Sequence, residues 1–339
     1  MTMKKITIED VAKRAGVGIA TVSRALNNSE GISAKTKEKI MQVVEEMGFA
    51  PNSSAQSLKI RQTRQIALAV PDIRNAIIPD IAWSVEQAAK QHGYRVVQIN
   101  TLGNAMLELD TLRELKKLHV DGLVIMPLAY PPQLEAMINQ ASVPVSVINY
   151  GKKMSADLQA DIVGMALQEG KLVMDHLLQI GRQRIAYAGA PKGKIEERYR
   201  AYEQSIDHVD PSLVYFGEDF SFETGRQAAN YFYSLKHMPD AIYAVNDMVA
   251  IGIVNRLKEL GVRVPEDVAI AGIDNNLWAA VTTPQITSVS IMGSEVGRLA
   301  AELLLKRIQY PGSEYERVEF EPRLIVRESS VKMSPAVQG

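Results

Sequence analysis

The segment Ile8 to Asn27, IEDVAKRAGVGIATVSRALN, constrains this chain more than any other. Val11, Ala12 and Ala15 form one apolar stripe at helical spacing, and Val22, Ala25 and Leu26 form a second. Gly16 falls between them, where the chain must turn sharply. Two short helices around a tight turn give helix-turn-helix spacing, whose second helix enters a DNA major groove. The outward face of that second helix carries Ile19, Ala20, Thr21, Ser23 and Arg24, a set suited to base edges and phosphates. Amphipathic helix pairs also occur in all-α proteins with no DNA role, so the rest of the chain has to decide.

The charge decides part of it. The formal net charge of the 339 residues is −1, but it is unevenly spread. Residues 1–64 hold 11 Lys+Arg against 6 Asp+Glu, and the remainder hold 27 against 33. A small basic head on a larger acidic body is the balance expected when a DNA-binding domain is joined to another module. Cysteine is absent, so neither disulfides nor thiolate metal sites are available, and the five histidines show no ligand spacing. No metal and no cofactor are expected. The N-terminal MTMKKITIED lacks the apolar run of a signal peptide and no stretch reaches the length of a membrane span, which predicts a soluble, cytoplasmic protein with no membrane partner.

A third helix is expected from about Ser33 to Met47. Ser33 is a good N-cap, Ile40, Val43, Val44 and Met47 fall at helical spacing, and Gly48 with Pro51 ends it. The polar segment Asn52–Lys59, with Leu58 as its one large apolar residue, reads as a linker or as a helix too short to stand alone in water. From Gln65 onward brief apolar runs alternate with helical patterns. The runs IALAV (Ile66–Val70), RVVQI (Arg95–Ile99), GLVIM (Gly122–Met126) and VPVSVI (Val143–Ile148) make one set, and RIAYAG (Arg184–Gly189), AIYAV (Ala241–Val245) and VAIAG (Val268–Gly272) make another. Continuous apolar strands separated by helices predict parallel sheet in a doubly wound α/β fold. A last helix near Gly293–Gln309 precedes closing strands near Arg317–Phe320 and Arg323–Val326. Two such lobes predict a cleft between them, where small molecules commonly bind.

These parts in this order resemble the lactose/galactose repressor (LacI/GalR) family of bacterial transcription regulators. The resemblance rests on TIEDVAKRAGV…ATVSRALN, ISAKTKEKI, MGFAPNSSAQSL and YAVNDMVAIGIVNRLKELGVRVPEDVAIAGIDN, and spans residues 4–330. It implies an α/β protein with a three-helix helix-turn-helix head over 1–50 and a hinge helix and linker over 51–64. A two-lobed doubly wound body over 65–339, like periplasmic sugar-binding proteins, would follow. The N-lobe would take about 65–162 and 290–320, and the C-lobe about 163–289 and 321–330. The implied function is a homodimeric repressor that binds near-palindromic operator DNA under the control of a small effector such as a sugar or sugar phosphate. The tail Ser334–Gly339 is too short for a tetramerising helix, which fits a dimer.

Carried over residue by residue, Ile19 and Ala20 occupy the positions that select base pairs, and Arg24 contacts a base edge or phosphate. Thr7, Thr21, Ser23, Asn27, Ser33 and Thr36 fall at other DNA-contacting positions, and Asn52, Ser54, Ala55 and Leu58 at hinge positions. A guanidinium can bind guanine in two-pronged fashion, whereas Ile19 and Ala20 offer apolar contact, for example to a thymine methyl. Leu58 matches the residue that wedges into the minor groove. Gly18 departs from the family, which usually has Ser there as N-cap; Gly is tolerable in that place.

In the body, Asp274, Arg198 and Phe220 match a ligand acceptor, a cleft arginine and a stacking aromatic. Each has an alternative: a turn cap, an ion pair with Glu196 or Glu197, and core. Ile77, Ile78, Lys192 and Asn246 lie on the other loops expected to line the cleft, with Ile77 and Ile78 where the family often carries aromatics. Asp247 reads as an N-cap. Gly164 and Met165 stand where an Asp-Asn pair is frequent. Lys192 and Lys194 add positive charge to one cleft loop, which tilts the expectation toward an anionic ligand.

Two other classes compete with this one. GAPKGK at Gly189–Lys194 resembles a phosphate loop, but three residues rather than four separate Gly189 from Gly193, and Ile195 replaces the required Ser or Thr. No G-x-G-x-x-G, nucleophile elbow or H-E-x-x-H pattern is present, so an enzyme is not expected. A cytoplasmic solute-binding receptor without a DNA role would share the two lobes but leaves the basic head unexplained.

Overall fold

The computed structural model describes residues 6–26, 31–49, 63–150, 152–166, 168–189, 192 and 195–331. The chain separates into two compact units, Met1–Thr63 and Arg64–Gly339.

The first unit holds α1 (Ile8–Ala15), α2 (Ile19–Leu26) and α3 (Ala34–Met47). Thr7 caps α1 in a capping box: its hydroxyl accepts from the Asp10 N–H, and the Asp10 carboxylate accepts from the Thr7 N–H. Gly16 takes the left-handed conformation that closes α1, at φ +69°, and its N–H returns to the Ala12 carbonyl. Val11, Ala12, Ala15, Val22, Ala25, Ile40 and Val43 are the buried core of this unit, so the apolar stripes of the three helices meet as their spacing requires.

The second unit contains two open sheets. The first lobe joins β1 (Gln65–Val70), β2 (Arg95–Asn100), β3 (Gly122–Ile125), β4 (Val145–Tyr150), β5 (Asp161–Met165) and β11 (Arg317–Phe320), in the order β2-β1-β3-β4-β5-β11, all parallel. The second joins β6 (Ile185–Gly189), β7 (Val214–Phe216), β8 (Ala241–Ala244), β9 (Ala269–Asp274), β10 (Thr287–Ser290) and β12 (Arg323–Ile325), in the order β7-β6-β8-β9-β10-β12. Only its β10–β12 pair is antiparallel. The two lobes therefore repeat one topology, with the strand order reversing beside β1 in one and beside β6 in the other.

Helices α4 (Ile78–Gln91), α5 (Ala105–Leu118) and α6 (Leu134–Asn139) belong to the first lobe. Helices α7 (Glu169–Gln179), α8 (Glu196–Gln204), α9 (Phe222–Tyr233), α10 (Asp247–Glu259) and α11 (Leu277–Val281) belong to the second. Helix α12 (Gly293–Gln309) returns to the first lobe and packs on α4. It is pinned there by Arg307, whose guanidinium binds both oxygens of buried Asp161 at 3.0 and 2.9 Å. The chain crosses between lobes three times: after β5, after β10, and between β11 and β12. Because β5 pairs with β4 through Met165, the first crossing falls beyond the expected boundary at 162.

Candidate functional site

The DNA-reading candidate is the outer face of α2. The Gly18 carbonyl opens this helix by accepting from the Thr21 and Val22 N–H groups. Val22 and Ala25 turn into the core, which forces the rest of the turn outward. Ile19 is 47% exposed, Ala20 and Arg24 are exposed, and Thr21 and Ser23 are half-buried. The Thr7 hydroxyl, offered by the sequence as a DNA contact, is engaged with the Asp10 carboxylate at 2.8 Å. Ser33 caps α3, and its hydroxyl meets that of Thr36 at 2.8 Å. These three polar groups thus set helix starts, at positions where an added phosphate oxygen would compete with an existing bond. Asn27, Asn52, Ser54, Ala55 and Leu58 lie outside the described residues.

The effector candidate is a cavity of about 170 Å³ at the carboxyl ends of the strands of both lobes. This is where an open α/β sheet is expected to bind its ligand. From the first lobe come Ile77, Met126, Leu128 and Tyr150; from the second come Arg198, Phe220, Asn246 and Asp274. Asp274 ends β9 with φ +117°, and the next residue, Asn275, is left-handed as well, at φ +54°. A non-glycine backbone in this region is strained, and such strain concentrates at functional sites.

Arg198 lies in the first turn of α8 and is only 4% exposed. Its Nη1 donates to the Val245 carbonyl at 2.6 Å, Nε lies 3.7 Å from Glu169, and Nη2 lies 3.8 Å from Asp274. The neighbouring Arg200, not Arg198, pairs with Glu196 and Glu197. Burial works against the charge of Arg198, but Asp274 and Glu169 more than offset it, so its guanidinium is held protonated. Burial acts on Asp274 in the opposite sense. It pushes that carboxyl up to about 7, with Arg198 pulling it down and Glu169 adding to the rise. Asp274 Oδ2 and the Tyr150 hydroxyl are buried with no hydrogen-bond partner. Unpaired buried polar atoms are costly, and a ligand would relieve both.

Several expectations change. Ile78 is fully buried in the core as the first residue of α4, so it does not reach the cavity, whereas Ile77 does. Lys192 is exposed and outside the lining, and Lys194 is outside the described residues, so the expectation of a cationic loop facing the ligand has no support. Gly164 pairs with Asn149 in β5, where any side chain would strike the Asn149 carbonyl, and Met165 is core; neither lines the cavity. Asn246, not Asp247, caps α10, its Oδ1 accepting from Val249 at 2.9 Å. Asp247 is buried and ties two strand ends together, accepting from the Asn276 N–H at 2.9 Å and the Ser288 hydroxyl at 2.5 Å. Tyr150, Asp72, Arg74 and Asp219 line the cavity but were not singled out from sequence. The only signal for Tyr150 was its place just past the run VPVSVI.

Comparison with known proteins gives a consistent picture. The family model of bacterial regulatory proteins of the lacI family matches residues 7–52, and that of the periplasmic binding protein-like domain matches 174–330. The HTH-type transcriptional repressor PurR of Vibrio vulnificus (strain CMCP6) is 31% identical over 336 residues, 97% of this chain and 99% of the relative. The transcriptional regulator CelR in complex with cellobiose is a similar solved structure, 29% identical, with a TM-score of 0.69 over 96% of this chain and all of that one. The lac repressor dimer bound to operator and the anti-inducer ONPF is 23% identical and shares the fold, with a TM-score of 0.84 over 97% of this chain and 100% of that one.

Proposed function

Because this chain belongs to the lacI family of bacterial regulatory proteins, a family of DNA-binding transcriptional regulators with an effector-binding body, we propose a specific division of labour among its residues. The outer face of α2 reads one operator half-site in the major groove. Ile19 and Ala20 meet base methyls, Arg24 donates to a guanine or phosphate, and Thr21 and Ser23 hold the backbone. A second copy reads the other half-site, since a near-palindrome mirrors a two-fold dimer. The cleft takes a small metabolite such as a sugar or sugar phosphate, with Arg198, Phe220 and Asp274 as its contacts. The protein acts as a repressor rather than an enzyme, and works in the cytoplasm where its DNA lies.

The observation that carries this reading is the pairing, in one chain, of an exposed apolar-and-arginine helix face with a cleft cavity lined by unpartnered buried polar atoms. A solute receptor would have no use for the first. Binding energy from a ligand that prefers one angle between the lobes shifts that angle, and this is the physical content of allosteric control.

Arg24→Ala tests the reading. Loss of one base contact should weaken operator binding by about 1–3 kcal/mol per half-site, and a dimer loses two. A gel-shift assay should show specific binding abolished while the melting of the body is unchanged. Unchanged specific affinity would remove α2 from its assigned role.

A further inference from the structure

Two arginines of this chain show what a settled pair looks like. Arg307 lays its Nε and Nη2 edge on both oxygens of Asp161 at 3.0 and 2.9 Å, and Arg74 does the same with Asp72 at 3.0 and 2.6 Å. The same edge of Arg198 is split between two carboxylates. Its Nε lies 3.7 Å from Glu169 and its Nη2 lies 3.8 Å from Asp274, both beyond hydrogen-bond reach. Arg198 Nε and Asp274 Oδ2 are buried with no hydrogen-bond partner. All three side chains are buried. Nη1 is tied to the Val245 carbonyl at 2.6 Å, so the opposite edge can tip about it. A guanidinium edge takes one carboxylate two-pronged, and a second can hold it only by loosening the first. The place of Glu169 gives this competition a consequence. Strand β5 ends at Met165, the chain then crosses between lobes, and Glu169 opens α7 directly after the crossing. Gly170 beside it packs on α8 with no room for a side chain, since a β-carbon there would lie 2.7 Å from that of Ala201 and 2.9 Å from the Tyr243 hydroxyl. Whatever holds Glu169 to Arg198 therefore holds the start of α7 to α8.

We propose that Glu169 is a positioning residue that competes with Asp274 for the Arg198 fork, takes the fork when a cleft ligand engages Asp274, and so carries the state of the cleft to the crossing at the start of α7. The proposal rests on the effector reading above for what fills the cleft; the competition between the two carboxylates belongs to the protein alone. A ligand group that donates to Asp274 draws that carboxylate away from Nη2. A buried guanidinium needs a counter-charge, so it tips to Glu169. A fork bound at both prongs then clamps the first turn of α7, whereas a shared fork leaves that turn easier to open. Closing the lobes takes the ligand itself; the fork fixes only the start of α7.

The test is a double-mutant cycle on the full-length protein without ligand, read by thermal unfolding and by amide hydrogen exchange over residues 168–177. In Glu169→Gln or Asp274→Asn the fork passes to the carboxylate that remains, so each melt should stay within about 2 °C of the parent. Removing both leaves a buried cation without a counter-charge, and the melt should fall by at least about 5 °C. Adding Arg198→Met to the pair should recover most of that fall, which keeps the test decisive if the double variant does not fold. Exchange at the start of α7 should slow by about tenfold in Asp274→Asn and quicken in Glu169→Gln; a carboxylate that merely fills the core would not slow it in the first. Losses that simply add, or a double variant that melts with the parent, would show that the two carboxylates do not compete for one fork. Unchanged exchange in both single variants would show that the fork does not reach the crossing. Either result overturns the proposal. No ligand enters the cycle, so its outcome is separate from whether the effector reading holds, and a gel shift of the parent on operator DNA reports on the regulator reading by itself.

Discussion

At the scale of single residues, the cleft is governed by Asp274. Glu169 and Arg198 face it within the second lobe, Asp247 feels its charge from the start of α10, and Tyr150 faces it from the first lobe. Burial raises its carboxyl to about 7, and burial with the charge of Asp274 drives Asp247 well above the ordinary carboxylate range. Ligand hydroxyls donate to the ionised form of Asp274, so they must compete with a proton. The sign follows: affinity is full above the carboxyl's value in the free protein and falls as pH drops through about 7, by about tenfold per pH unit. Calorimetry with an uncharged cleft ligand from about pH 8.5 to about pH 5.5 should show that loss, and Asp274→Asn should flatten it. Affinity that is constant or improves toward low pH would contradict the role given to this carboxylate. The family resemblance assigned Asp274, Arg198, Phe220, Asn246 and Ile77 to the cleft, and all five line it. It did not place Tyr150, whose side chain looks the same in sequence whether its hydroxyl meets water, a partner or an empty cavity.

At the scale of elements, strands that are buried on both faces were readable as apolar runs, and most helices fell where their periodicity put them. The misses have physical causes. Strand β5, DIVGM, carries an aspartate that is buried only because Arg307 binds it. Strand β10, TSVS, is polar yet buried, since Thr287 and Ser288 find partners in Arg327, Ser330 and Asp247. Helix α8, EERYRAYEQ, is dominated by charge, and its register is set by buried Arg198 and Tyr202, so it shows no apolar stripe in sequence. Packing between elements was not legible either. Helices α9 and α10 pack with Gly225 and Gly252 facing each other, so closely that a β-carbon on Gly252 would strike the Phe222 carbonyl. Gly252→Ala must part these backbones, and overpacking of this kind costs about 1–3 kcal/mol. Thermal unfolding should show a lower melting temperature for the body, with cleft affinity also reduced because Asn246 and Asp247 begin α10. A melt equal to that of the parent would show that the helix pair yields freely.

At the scale of the whole molecule, the body's two lobes are what would connect ligand binding to the proposed DNA face. The lobes are joined by three crossings, at the ends of β5, β10 and β11, and connections of a few residues are where hinges commonly fall. By resemblance, Leu58 is assigned to wedge the centre of the operator, so its loss should weaken and straighten the complex without touching the cleft. Leu58→Ala should therefore reduce the bend in circular-permutation gels and leave ligand affinity within about twofold; an unchanged bend would remove the wedge.

In the function proposed above, one chain reads DNA with α2 and is switched through the cleft. The most direct measurement is fluorescence anisotropy of operator binding by the full-length protein, with and without saturating cleft ligand, for the parent, Arg24→Ala and Asp274→Asn. The parent should change its operator Kd by about tenfold or more when ligand is added, a coupling of about 1–3 kcal/mol. Asp274→Asn should keep operator binding and lose the ligand's effect, while Arg24→Ala should lose operator binding and keep ligand affinity. A ligand that binds the cleft with Asp274 intact and leaves the operator Kd unmoved would contradict the claim.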